Sequence, residues 1–156
     1  MTKVEGAPFI LVVEGDPVSA DRAVRTLRDA GWEAIGSSDP WEAMQFIAEC
    51  NLSLIVLDLD LQGVGGSDLC AMIQEDPGLT KIPMLFLSTH AGVIGPRLAS
   101  FQGHNSCHPK PITGPLLVAA TRELLAGPFP REEVYAEALP STATRFVRRR
   151  RERATA

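Results

Sequence analysis

The stretch FILVVEGDP, residues 9–17, runs from an apolar segment into two carboxylates and a proline. The continuous apolar run from Phe9 to Val13 is typical of a strand buried on both faces of a sheet. Asp16 followed by Pro17 marks a helix start, because the carboxylate caps the first turn and proline suits its first position. The stretch therefore predicts a buried strand that ends near Glu14 and is followed at once by a helix.

The same alternation of strand and helix continues along the chain. Asp39 and Pro40 repeat the helix-start signal, and Thr113 to Ala126 has the pattern of a final helix. The strand candidates are WEAIGSS (32–38), LSLIVLD (52–58) and IPMLFLS (82–88), with HNSCHPKP (104–111) as a more polar fifth segment. Strands that alternate with helices predict an α/β fold, a doubly wound parallel sheet with helices on both faces.

Composition limits the classes of protein to which this chain belongs. It has 156 residues, 45% of them hydrophobic, and a formal net charge of −4. The sequence shows neither an apolar run long enough for a membrane helix nor a secretory signal at its start. Its three widely spaced cysteines favour reduced thiols over a disulfide framework. We therefore expect a cytoplasmic protein that does not associate with membranes.

Charge and composition divide the chain into three parts. We expect an N-terminal extension at 1–7, one domain at 8–127 and a mobile tail at 128–156 that contains prolines and arginines. The tail holds seven basic and four acidic side chains, most of the basic ones between Arg145 and Arg153. The acidic main body is an unlikely binder of nucleic acid, whereas the tail leaves that interaction open.

Polar side chains stand where the predicted strands end. Glu14, Asp58 and Ser88 end three strands, and Lys110 follows the fifth candidate. Ligands of parallel sheets lie beyond these carboxyl ends. Carboxylates that converge there repel one another unless a cation joins them, and such oxygen ligands suit Mg²⁺. With a lysine and a hydroxyl nearby, Asp58 has the surroundings of a nucleophile that forms an acyl phosphate.

Taken in order, the segments ILVVEGDP, LSLIVLDLDLQGVGG, IPMLFLSTH and CHPKPI resemble the receiver domain of bacterial two-component response regulators. The resemblance implies a flavodoxin-like, five-stranded sheet in the order 2-1-3-4-5. It implies that Asp58 is the phosphoacceptor, that Ser88 is the switch hydroxyl and that Lys110 pairs with the phosphoryl group. It also implies a cis bond between Lys110 and Pro111.

The resemblance further implies a Mg²⁺ site made of Glu14, Asp58 and the backbone carbonyl of Asp60. The chain departs from the family pattern at two important positions. Gly15 stands where the family has a second acidic residue, so we expect weak Mg²⁺ binding. Asp16 is a doubtful substitute ligand, because its sequence position favours a helix cap. Cys107 stands at the second switch position, where the family usually has Tyr or Phe.

These features together predict a signalling module and not an enzyme. We expect a stand-alone response regulator that accepts phosphate on Asp58 from a sensor histidine kinase or a phosphotransfer protein. It would signal to an unknown downstream protein by contact, and a homodimer stays open. The alternative is a pseudo-receiver, an interaction scaffold that does not need phosphate. An enzyme or flavin binder on the same fold is a weaker third hypothesis.

Overall fold

One five-stranded parallel sheet organises the computed structural model, which describes residues 8–61, 66–92 and 105–127. The strands run in the order β2-β1-β3-β4-β5. Their bounds are β1 (Phe9–Val13), β2 (Glu33–Ser37), β3 (Leu54–Asp58), β4 (Met84–Ser88) and β5 (Asn105–Pro109). This order confirms the predicted fold class. The predicted extension at 1–7 and tail at 128–156 lie outside the described residues and stay predictions.

Four described helices cover the two faces of the sheet: α1 (Pro17–Asp29), α2 (Pro40–Glu49), α3 (Gly66–Glu75) and α4 (Gly114–Leu125). Alternate residues of each central strand point to opposite faces. Ile10, Val12 and their neighbours pack against α1 and α4, whereas Leu11 and Val13 belong to the core that α2 and α3 complete. The continuous apolar runs of the sequence are therefore explained by burial on both faces.

The helix starts follow the local signals in the sequence. The Asp16 side chain accepts hydrogen bonds from the amides of Val18 and Ser19, and Asp39 accepts one from the amide of Trp41. Thr113 caps α4 in the same way. Gly31 follows the end of α1 with φ of 99°, a left-handed conformation that glycine adopts without strain. These caps fix the points at which the chain turns from strand to helix.

The polar segment near the end of the domain forms a regular edge strand. β5 pairs in parallel with β4 from Met84↔Asn105 to Ser88↔Pro109. An edge strand has one neighbour, and four of its five residues are half-buried, so it does not need a continuous apolar run. Pairing with β4 thus places Lys110 directly beyond the same end of the sheet as Ser88.

The strand order locates the crevice in which ligands of such sheets bind. β1 lies between β2 and β3, so the chain winds in opposite directions on either side of it. The carboxyl ends of β1 and β3 flank this switch point. Glu14 follows the first of these strands and Asp58 ends the second. Among the described helices, none has the length and apolar character needed to cross a membrane.

Candidate functional site

Asp58 is a buried carboxylate at the end of the central strand β3, with only 3% of its surface exposed. Its Oδ1 accepts a hydrogen bond of 2.8 Å from the backbone N–H of Asp60. The same oxygen lies 3.0 Å from Nζ of Lys110. An ionised carboxylate is expensive to bury without such partners. The structure therefore orients the carboxylate of the predicted phosphoacceptor between a backbone amide and an ammonium group.

Lys110 is the cation at the centre of the site. Its backbone N–H donates to the carbonyl of Ser88, and its peptide bond to Pro111 is cis, as the resemblance implied. Its Nζ lies 3.5 Å from Oε1 of Glu14 and 3.9 Å from Oδ2 of Asp60, in addition to its contact with Asp58. Burial opposes the charge, but the hydrogen bond to Asp58 and the three carboxylates raise the pKa of Lys110.

Glu14 is a second buried carboxylate, with 6% of its surface exposed. Its backbone N–H donates to the carbonyl of Ser37, and its Oε1 accepts from the N–H of Asp16. Burial and the neighbouring Asp58 raise the pKa of Glu14, whereas the Asp16 amide and Lys110 oppose that rise. Glu14 and Asp58 are thus a repelling pair of acids, and one ammonium group compensates both.

The space beside Gly15, where another residue would place its side chain, is partly filled by Leu61. A Cβ at this position would lie 3.2 Å from Cδ2 of Leu61 and 3.9 Å from Oδ2 of Asp58. Leu61 is itself buried and belongs to the core cluster beneath the site. An apolar methyl group therefore stands beside the direction in which a second acidic side chain would extend from residue 15.

Asp16 is exposed, and its carboxylate is used in the helix cap. Besides the two amides of the cap, its Oδ2 accepts a hydrogen bond of 2.7 Å from the Ser19 hydroxyl. These hydrogen bonds hold the pKa of the Asp16 carboxyl below its usual value. The capping role predicted for Asp16 is confirmed. Its role as a substitute metal ligand stays a prediction.

Asp60 contributes its side chain to the site, in addition to the backbone carbonyl that the resemblance implies as a metal ligand. Oδ1 of Asp60 accepts a hydrogen bond of 3.1 Å from the Ser88 hydroxyl. Its Oδ2 accepts one of 2.8 Å from the backbone N–H of Thr89. Burial would raise the pKa of the Asp60 carboxyl, but Thr89, Ser88 and Lys110 lower it overall. These contacts span 28 or 29 residues of sequence, so no local motif predicts them.

The two predicted switch residues lie on neighbouring strands. Ser88 ends β4 and is fully buried, and its Oγ also accepts a hydrogen bond of 2.9 Å from the N–H of His90. Cys107 lies in β5 opposite Phe86 and packs against the core cluster. Burial raises the pKa of the Cys107 thiol. The switching roles of Ser88 and Cys107 stay predictions.

The site contains carboxylate oxygens of the kind that Mg²⁺ binds. Across residues 8–61, 66–92 and 105–127, no group of three or more His, Cys, Asp or Glu side chains is placed to hold a metal ion. Mg²⁺ in phosphate sites commonly takes one or two carboxylates, together with phosphate oxygens and water. Glu14 and Asp58 would provide two such carboxylates, and Nζ of Lys110 lies within 3.5 Å of an oxygen of each.

Comparison with known proteins agrees with this geometry. The family model for the response regulator receiver domain matches residues 10–122 of the chain. The chain belongs to the response regulator receiver domain family. Receiver domains are signalling modules of two-component systems that interact with histidine kinases or phosphotransfer proteins, and they generally bind Mg²⁺ at the phosphorylation site. The matched range contains all the site residues described above.

Individual relatives support the same assignment. The receiver domain is 30% identical over 116 residues to the DNA-binding response regulator MtrA of Mycolicibacterium smegmatis, which covers 74% of this chain and 50% of that protein. The chain thus spans about half the length of this relative. The solved structure of a putative response regulator from Chloroflexus aurantiacus is 29% identical and superimposes with a TM-score of 0.68, and the match covers 78% of this chain and 99% of that one.

The fold is also shared with more distant solved structures. The chemotaxis protein CheY4 of Vibrio cholerae superimposes with a TM-score of 0.70 at 18% identity. That match covers 76% of this chain and 99% of CheY4. Since the identity is low, this similarity shows the flavodoxin-like fold alone.

Proposed function

We propose that this receiver domain accepts a phosphoryl group on Asp58 from the phosphohistidine of a sensor histidine kinase or a phosphotransfer protein. The phosphorylated domain then signals by contact with a downstream protein in the cytoplasm. The observation that carries the proposal is the Asp58 carboxylate itself. It is buried at the switch point of the sheet and lies 3.0 Å from the Lys110 ammonium. Membership of the receiver family supports the same role.

The residues around Asp58 match the needs of phosphoryl transfer. A carboxylate oxygen of Asp58 attacks the phosphorus, and the P–N bond to the donor imidazole breaks. The electron pair of that bond leaves with the imidazole, which takes up a proton. Because transfer leaves negative charge on the phosphoryl oxygens, a fixed cation beside them lowers the barrier. Lys110 is held there by its three carboxylate neighbours before any phosphate arrives.

The proposed Mg²⁺ ligands are Glu14, Asp58 and the backbone carbonyl of Asp60. When bound, Mg²⁺ supplies positive charge that offsets the repulsion between the carboxylates and the phosphoryl oxygens. We infer that binding is weak, since Gly15 offers no side-chain ligand. The position of Leu61, 3.2 Å from a Cβ at residue 15, supports that inference. With Mg²⁺ bound weakly, Lys110 supplies more of the positive charge that offsets the phosphoryl oxygens than it would in a site where three carboxylates bind the metal.

The test is phosphorylation of the purified chain by acetyl phosphate with Mg²⁺, followed by intact-mass analysis. We expect the wild-type chain to gain one phosphoryl group and Asp58→Asn to gain none. Asp21→Asn is the matched control, because it also removes one carboxylate but at an exposed position of α1, where Asp21 pairs with Arg25. If the wild-type chain gains no phosphoryl group, the proposal is wrong, and the phosphate-independent scaffold becomes the better hypothesis.

A further inference from the structure

The carboxylate of Asp60 accepts hydrogen bonds from two donors at the proposed phosphorylation site. Its Oδ1 accepts a hydrogen bond of 3.1 Å from the Ser88 hydroxyl, and its Oδ2 accepts one of 2.8 Å from the Thr89 N–H. Oδ2 also lies 3.9 Å from Nζ of Lys110, the same ammonium that contacts Asp58 at 3.0 Å. One internal anion therefore sits among a hydroxyl, an amide and an ammonium, which is the donor set that recognises phosphate.

The hydrogen bonding of Ser88 makes this occupation exclusive. A serine hydroxyl has a single proton to donate. In the structure that proton is directed to Asp60, while the oxygen accepts from the N–H of His90 at 2.9 Å. The fully buried Ser88 side chain thus has its donor engaged. A phosphoryl oxygen on Asp58 accepts a hydrogen bond from this hydroxyl only after the bond between Ser88 and Asp60 is broken.

We propose that Asp60 acts as a competing internal anion, holding the Ser88 hydroxyl and the Thr89 amide until a phosphoryl group on Asp58 displaces its carboxylate. The inference rests on the proposed function, because the competitor is the phosphoryl group. Displacement exchanges one anion for another at the same donors, so the net gain from Ser88 on phosphorylation is small. Asp60 is in this sense a positioning residue that sets how strongly the domain retains a phosphoryl group.

The test uses beryllofluoride, a phosphoryl mimic that binds to aspartate, in a double-mutant cycle with Mg²⁺ present. The four proteins are wild type, Asp60→Ala, Ser88→Ala and the double variant. We expect Asp60→Ala to bind beryllofluoride about tenfold more tightly, the size of one hydrogen bond to a charged group. Ser88→Ala should cost little affinity in the wild type but about tenfold in the Asp60→Ala background, where the hydroxyl is available.

The cycle separates competition from a simple effect of charge. Removing the Asp60 charge favours any anion, but it does so equally whether or not Ser88 is present. If Ser88→Ala has the same effect in both backgrounds, Asp60 does not compete for the hydroxyl and the inference is wrong. The proposed function would stand in that case, because the wild-type protein would still bind the mimic. Absence of binding in all four proteins would instead overturn the proposed function and, with it, the inference.

Amide exchange at Thr89 tests the contact without any phosphoryl mimic. We expect the Thr89 amide to exchange faster in Asp60→Ala than in the wild type, since its acceptor is lost. The amide of His90, which donates to Ser88 Oγ, is the internal control in the same spectra, and it should be little changed. Equal exchange of Thr89 in both proteins would show that Asp60 does not hold this donor, and would overturn the inference.

Discussion

Replacement of Gly15 by aspartate tests whether the site is a receiver metal site that has lost one ligand. A Cβ at this position lies 3.2 Å from Cδ2 of Leu61, so the leucine must move by a few tenths of an ångström. Oδ2 of Asp58 lies 3.9 Å from the same Cβ. The substitution therefore adds both a steric contact and a fourth carboxylate to a site that has one ammonium.

The substitution has a steric cost and an electrostatic cost. Overpacking costs about 1–3 kcal/mol in a core, and we expect the lower end here because residue 15 is exposed and contacts only the tip of the flexible Leu61 side chain. Two like charges about 4 Å apart repel by about 4 kcal/mol at an effective dielectric constant of 20, and protonation or rotation of the new side chain relieves much of that. Without metal, we expect Gly15→Asp to lower the free energy of unfolding by about 2–3 kcal/mol.

Mg²⁺ should reverse most of this loss. A cation present at about 100 times its dissociation constant stabilises the folded state by about 2.7 kcal/mol. The assay is urea unfolding in EDTA and in saturating Mg²⁺. The matched control is Gly15→Asn, which has nearly the same shape as the aspartate and the same contact with Leu61 but no charge. We expect Gly15→Asp to gain at least 1–2 kcal/mol more than Gly15→Asn from Mg²⁺, about a tenfold difference in affinity.

Two outcomes would refute the reasoning. If both variants lose equal stability and respond equally to Mg²⁺, the new carboxylate does not face the site. If Gly15→Asp responds to Mg²⁺ only when combined with Leu61→Ala, the leucine blocks the ligand position, and the steric cost has been underestimated.

Three further predictions concern ionisation. Burial and the neighbouring Asp58 raise the pKa of Glu14 above its ordinary 4.5, so protonated Glu14 stabilises the folded protein below pH 4.5. This stabilisation is lost as the pH rises through the raised pKa. Urea unfolding of the metal-free protein should show the fall in stability, and Glu14→Gln should abolish it. Lys110→Met leaves three carboxylates without their ammonium partner, so it should lower the free energy of unfolding, measured with urea at neutral pH, by about 2–3 kcal/mol. The loss should be smaller in the Glu14→Gln background, and equal losses in both backgrounds would contradict an interaction between Lys110 and Glu14. Burial raises the pKa of the Cys70 thiol to about 12, so a thiol reagent should label Cys70 only on unfolding. Above about pH 9 this thiol ionises in the unfolded chain but not in the folded one, so the free energy of unfolding should fall by about 1.4 kcal/mol per pH unit. Cys70→Ala should remove that slope.

Local sequence signals predicted most of the fold. The pairs Asp16–Pro17 and Asp39–Pro40 located two helix starts, because capping depends on neighbours only two or three residues away. The apolar runs located the central strands, because burial on both faces requires them. The edge strand β5 gave no such signal, since its half-buried residues acquire their structure by pairing with β4.

The site was predictable where it depends on strand ends and not where it depends on side chains that meet across the fold. The topology alone brings four of the side chains to one edge, because each of them ends a strand of one sheet or directly follows it: Glu14, Asp58, Ser88 and Lys110. The contact of Asp60 with Ser88 depends instead on the conformation of a turn and on a partner 28 residues away.

The neighbourhood of Gly15 was also beyond the reach of sequence patterns. The missing carboxylate is visible in the sequence, but the methyl group of Leu61 beside it is a packing result. Such contacts depend on how the core settles beneath the site.

The most direct test of the central claim is to locate the phosphoryl group by chemistry. The wild-type chain is treated with acetyl phosphate and Mg²⁺ and then reduced with borohydride, which converts an aspartyl phosphate to homoserine. Peptide mass spectrometry then identifies the reduced residue. We predict reduction at residue 58 alone. Reduction at Asp16 or Asp60 in place of Asp58, or no reduction anywhere, would contradict the account.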